Sequence, residues 1–247
     1  MTIPAPSWRA NAPWICSRAR GVGQPISLVS AVDGFEFAAY RATPPDARRG
    51  GVVLIQEIFG VTAQIRGQAD AMAGEGFEVI APSFFDRLSP AFQAGLDAAG
   101  IAEGRRLSEA TPWDQVAGDI QAAVAALRGP VFVVGFCWGG TAAWLAACRC
   151  PGVAAVSSYY GRRIAELIDE VPACPIILHF GRSDESISPA MIQTLADKWP
   201  DMPIHSYDAG HGFAADLRAD YHPDSARLAN LRTLQLFNRA GSGHGEN

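Results

Sequence analysis

The chain has 247 residues, 49% of them hydrophobic and 18% charged, with a formal net charge of −5. This composition excludes a disordered chain, and the length suits one α/β domain whose core is large enough to need no disulfide or metal staple. The acidic balance and the lack of any basic run argue against a nucleic-acid or anionic-membrane surface, and no apolar stretch nears the roughly 18 residues of a membrane span.

Residues 1–24 carry Pro4, Pro6 and Pro13 but no apolar signal-peptide core. They read as an irregular arm ahead of a soluble, cytoplasmic domain expected over 25–240, with a flexible tail at 241–247. Two segments, 26–32 and 35–40, flank Asp33-Gly34, a strong hairpin signal. Short apolar runs at 51–55, 77–81, 131–134, 153–160, 176–180 and 204–207 suit strands buried on both faces. Between them, 63–73, 189–199 and 225–237 are helical by composition, and the Ala/Gly-rich 90–110 predicts a short helical excursion. In 113–127 the positions Trp113, Val116, Ile120, Val124 and Leu127 recur at helical spacing, opposite Asp114, Gln115 and Asp119. Buried strands alternating with helices predict a mostly parallel sheet covered on both faces, with ligands at the carboxyl ends of the strands.

The five cysteines are irregularly spaced, and reduced thiols are the expectation for a chain of this size in the cytoplasm. Cys148-Arg149-Cys150 lacks the second cysteine pair or the histidine of a metal site and reads as the end of a helix. Cys137 differs. It stands in Gly135-Phe136-Cys137-Trp138-Gly139-Gly140, directly after the strand at 131–134 and before a helical run. This is the nucleophile elbow of α/β hydrolases with cysteine in place of serine. The nucleophile occupies a strained turn, so the residues two positions either side must be small for strand and helix to close up. Its side chain then projects at a helix N-terminus, where the dipole favours a thiolate.

A thiol nucleophile needs a base, and the base needs an orienting acid, in the chain order nucleophile, acid, histidine. The strand at 176–180 runs into Gly181-Arg182-Ser183-Asp184-Glu185, which makes Asp184 the first candidate acid and Glu185 the second. The strand at 204–207 leads to Gly210-His211-Gly212, and His211 is the candidate base by position. Two backbone N–H groups must converge on the oxyanion. Trp138, next to the nucleophile, supplies one, and Ile58 in Gln56-Glu57-Ile58-Phe59-Gly60 is the best candidate for the other. A carboxylate such as Glu57 beside that point costs energy unless it is used; its plainer reading is a helix cap or an ion pair.

With these motifs assembled, the chain resembles the dienelactone hydrolases (carboxymethylenebutenolidases), α/β hydrolases with a Cys-Asp-His triad. The resemblance spans roughly 26–237 and rests on 56–60, 82–87, 135–140, 159–161, 181–184 and 209–213. It implies a triad of Cys137, Asp184 and His211, and gives Glu57 the role of contacting the resting thiol and helping to deprotonate it. It implies no cofactor or metal, and a small lactone or ester as substrate, acted on by a monomer or homodimer. The family holds its substrate carboxylate with two arginines. Arg87 matches the first, whereas the second position carries Ala215, and Arg218 could substitute only if its loop re-aims it. Tyr160 and Phe213 are further expected substrate contacts. Two rival readings are a binding or sensing protein on a hydrolase scaffold and a thiol redox protein using Cys137.

Overall fold

The computed structural model describes residues 23–242. The expected arm and tail lie almost wholly outside them; Gln24 already belongs to the first strand, and the last helix runs through Ser242. Strands β1 (Gln24–Val29) and β2 (Glu36–Ala42) form the antiparallel hairpin, closed by the pair Val29 and Glu36. The loop between them is longer than the two residues that Asp33-Gly34 suggested. The Ala31 N–H reaches the Gly118 carbonyl at 3.4 Å, and the Asp33 carboxylate pairs with Arg87, so this stretch is drawn away from the ladder.

Alternation then sets in: β3 (Gly50–Ile55), α1 (Ala63–Gly74), β4 (Phe77–Pro82), α2 (Ala98–Ala110), α3 (Trp113–Ala125), β5 (Val131–Phe136) and α4 (Trp138–Arg149). β6 (Val153–Tyr159), a 3-10 helix (Arg162–Leu167), β7 (Ile176–Gly181), α5 (Pro189–Lys198), β8 (Ile204–Tyr207) and α6 (Pro223–Ser242) complete the chain. The eight strands make one sheet in the order β1-β2-β4-β3-β5-β6-β7-β8, antiparallel at β1, β2 and β4 and parallel from there on. Every residue of β3, β4, β5 and β7 is buried, as continuous apolar runs require when helices cover both faces.

Two local differences matter for the site. The 90–110 segment contains a full helix, α2, whose first turn is capped by the Asp97 carboxylate accepting from the Gly100 N–H at 2.7 Å. Asp119 does not face solvent with Asp114; it is only 1% exposed and ion-paired to Arg87. Under the sheet, Phe132 stacks on Phe237 at 4.3 Å, with Phe77 edge-on to Phe132 at 6.0 Å, and this anchors α6. Among the described residues, no helix is long and apolar enough to cross a membrane.

Candidate active site

β5 delivers its chain to Cys137 at the middle of the sheet. The cysteine has φ +56°, a left-handed conformation that costs energy in any residue other than glycine. The turn is held by the Cys137 N–H donating to the Tyr159 carbonyl at 3.0 Å and by backbone bonds from the start of α4 back to the Cys137 carbonyl. The flanking glycines are required by space. A Cβ on Gly135 would lie 1.8 Å from the Gly139 carbonyl oxygen, and one on Gly139 would lie 2.3 Å from the Gln56 carbonyl oxygen.

Three side chains from three loops converge here. The Cys137 Sγ lies 3.1 Å from His211 Nε2, and His211 Nδ1 lies 2.7 Å from Asp184 Oδ2. Asp184 follows β7 and is buried. Its other oxygen, Oδ1, accepts from the Ser186 N–H at 2.8 Å and the Ser186 hydroxyl at 2.6 Å. Burial alone would raise the Asp184 pKa, but the His211 hydrogen bond and charge and the Ser186 bonds outweigh it, and the net shift is downward. Burial likewise works against a charged His211; the bonds to Asp184 and Cys137 reverse it and raise its pKa to about 10. Glu185 lines the cleft but makes no bond to His211, so geometry separates the two acids that the sequence left open. Ser186 was missed from sequence. The only available signal is its place two residues after the acid, where an Asx-type turn forms.

The backbone N–H groups of Ile58 and Trp138 have no protein acceptor among the described residues, and both residues line the cleft beside Cys137. Glu57, immediately before Ile58, is buried, and its Oε1 accepts from Arg218 Nη1 at 3.3 Å. The thiol's hydrogen-bond partner is thus His211, while Glu57 is held by an arginine. Burial raises the Glu57 pKa more than the charges of Arg218 and His211 lower it. Arg218 reaches this position because its guanidinium crosses Gly212, where φ is +82° and a Cβ would sit 2.4 Å from the Arg218 Nε. The loop therefore brings Arg218 onto Glu57 at the edge of the cleft, while Ala215 is buried.

Three expected substrate contacts are corrected. Arg87 does not line the cleft: its guanidinium forms a fork with Asp119 at 2.6 and 2.9 Å and a second with Asp33 at 2.9 Å, which occupies four of its five N–H donors. Tyr160 and Phe213 are fully buried and pack beneath His211, with the Tyr160 ring 5.0 Å from the imidazole and 5.5 Å from Phe213. The cleft, about 630 Å³ in volume, is instead walled by Arg105 and Ser108 of α2 and by Arg162 and Arg163 of the 3-10 helix, elements with weak sequence patterns. The other described cysteines lie away from it. Burial raises Cys148 and Cys150 to about 12 and Cys174 to about 11. Among the described residues no group of three or more His, Cys, Asp or Glu side chains is placed to hold a metal ion.

A parallel sheet with a strained nucleophile elbow and a histidine and an acid on later strand ends defines an α/β hydrolase. The family model of the dienelactone hydrolases matches residues 37–241, and the chain belongs to that family of ester and lactone hydrolases. The chain is 30% identical to carboxymethylenebutenolidase 1 of Cupriavidus pinatubonensis, over 85% of this chain and 94% of that one. It is 29% identical to the carboxymethylenebutenolidase of Pseudomonas putida, again over 85% and 94%. A crystal structure from Klebsiella pneumoniae, provisionally described as a dienelactone hydrolase, superposes with a TM-score of 0.75 at 28% identity, over 87% of this chain and 99% of that one.

Proposed function

We propose that the protein hydrolyses small lactones or activated esters through an acyl-enzyme on Cys137. The observation that supports this most is the unbroken chain from the Cys137 sulfur through His211 to the buried Asp184, at 3.1 and 2.7 Å, on an elbow that no other nucleophile shares. In this reading the Cys137 thiolate, paired with the His211 imidazolium, attacks the substrate carbonyl carbon. The Ile58 and Trp138 N–H groups receive the oxyanion. Collapse of the tetrahedral intermediate breaks the ester C–O bond, and His211 gives its Nε2 proton to the departing oxygen. The now neutral His211 takes a proton from water as the hydroxide adds to the thioester. The thiolate then leaves, the imidazolium is restored, and the net reaction is ester plus water giving acid plus alcohol. Asp184 keeps Nδ1 protonated and the ring aimed throughout. Where the cysteine is neutral and His211 already carries its own proton, Glu57, with its raised proton affinity, takes the thiol proton on substrate arrival and returns it to the thiolate once the acid product has left.

The test is pre-steady-state hydrolysis of p-nitrophenyl acetate, with intact-mass detection of the enzyme quenched during the burst. One nitrophenolate released per active site, one acetyl adduct mapped to Cys137, and no turnover in Cys137→Ala are the expected results. Undiminished turnover in a folded Cys137→Ala protein would overturn the reading. The proposed working form is a monomer or homodimer.

A further inference from the structure

Tyr160 is the residue at this centre whose chemistry remains unused. Its hydroxyl is buried and has no hydrogen-bond partner among the described residues. A buried phenol without a partner is costly, and such groups in folded proteins call for an explanation. Its backbone is also forced: φ is +39°, and the Tyr160 N–H is pinned to the His179 carbonyl at 2.8 Å. Bulky residues adopt this conformation only where surrounding structure imposes it, most often at functional sites. Because the ring packs on His211 and Phe213 behind the cleft wall, the hydroxyl does not meet substrate. The charged and titratable groups acting on it are Glu57, Cys137, Arg218 and Tyr159, with Glu57 the strongest of them. Glu57 in turn has one long bond, 3.3 Å from Arg218, and otherwise feels His211.

We infer that Tyr160 is a positioning residue for Glu57: its hydroxyl donates to the Glu57 carboxylate as the carboxylate takes up its charged, working position beside the thiol. The inference rests on the hydrolase reading above. In that position the carboxylate gains a second anchor beside Arg218. A donor favours the charged form of a carboxylate and so holds its pKa down. Removing the donor makes Glu57 harder to ionise, which moves the acid limb of the activity profile to higher pH. It leaves substrate binding alone, since the phenol lies behind the wall.

The experiment compares wild type, Tyr160→Phe, Glu57→Gln and the double variant. Steady-state hydrolysis of p-nitrophenyl acetate is followed from pH 5 to 9, alongside urea unfolding of each protein. Tyr160→Phe should lower kcat about 10- to 100-fold, the range for a hydrogen bond to a charged group, with KM unchanged and the acid limb displaced upward. Its unfolding midpoint should be equal to or above that of wild type, because the substitution deletes an unpaired buried hydroxyl; a residue with a merely structural role would show the reverse pattern. On the Glu57→Gln background the same change should add less than about twofold, the signature of two residues acting as one unit. An unchanged kcat and pH profile in Tyr160→Phe would overturn the inference while leaving the Cys137 mechanism standing. So would a full additional loss on the Glu57→Gln background. Turnover that survives Cys137→Ala would remove the hydrolase reading and the inference with it.

Discussion

Replacing Arg87 by methionine separates a substrate role from a structural one. In the structure its guanidinium grips both oxygens of Asp119, and the Asp119 side chain is 1% exposed. Methionine keeps the aliphatic stem and removes the charge, so an ionised carboxylate is left buried without its partner. Breaking one side of such a pair costs about 3–5 kcal/mol, far above the median of exposed ion pairs. The pair ties α3 to the segment after β4, both well inside the domain, so we expect a loss near the lower end, about 3 kcal/mol. In Arg87→Met/Asp119→Leu, where neither charge remains, most of that loss should be recovered. The assay is urea unfolding followed by tryptophan fluorescence, paired with kinetics on lactones that do and do not carry a carboxylate. If Arg87 bound substrate, its loss would raise KM for the carboxylate-bearing lactone by about 10-fold or more. A destabilisation below about 1 kcal/mol together with that selective rise in KM would refute the reasoning.

Asp184→Asn should lower kcat by roughly 10³- to 10⁴-fold, because the amide no longer fixes the His211 tautomer, whereas Glu185→Gln should match wild type; the ester assay above measures both. Gly139→Ala should fail to give soluble, active protein, since the added methyl meets the Gln56 backbone oxygen at 2.3 Å; a well-folded active variant by circular dichroism would contradict the packing account. His179 is fully buried, and burial first, then the charges of His205 and Arg232, depress its pKa well below the ordinary 6.5. The unfolded state therefore binds the proton first. The His179 contribution to stability is whole above about pH 6.5 and is lost as pH falls below it, at about 1.4 kcal/mol per unit. Urea midpoints from pH 8 to 5 should show this decline, and His179→Gln should flatten it.

The strand series, the elbow and the three converging side chains were legible because each is written in local sequence: continuous apolar runs, two glycines around a cysteine, and a histidine between glycines after the last strand. What stayed hidden depends on contacts distant in sequence. Nothing near Arg87 announces that Asp33 and Asp119, 54 and 32 residues away, will take up its donors. Asp119 sat on the polar side of the helical pattern, yet a charged partner was waiting inside. Arg218 is seven residues beyond His211, and only the missing side chain at Gly212 lets it fold back onto Glu57. Tyr160 was expected at the substrate through the resemblance carried by 159–161, not through any local pattern. Its placement behind the wall follows from the backbone twist at that residue, which side-chain identity does not encode.

The three converging groups are drawn from separate parts of the chain: His211 meets Cys137 across 74 positions and Asp184 across 27. The loop carrying His211 hangs from β8, a strand of four residues at the sheet's rim with three of them half-buried. Rim strands of this kind open at lower free energy than the middle of a sheet. The centre of the molecule can therefore hold Cys137 strained and in place while the rim that carries His211 is the part that opens first. Competence for reaction is then a property of the least secure part of the structure, and it will fade, on warming or in denaturant, before the β3–β5 interior gives way.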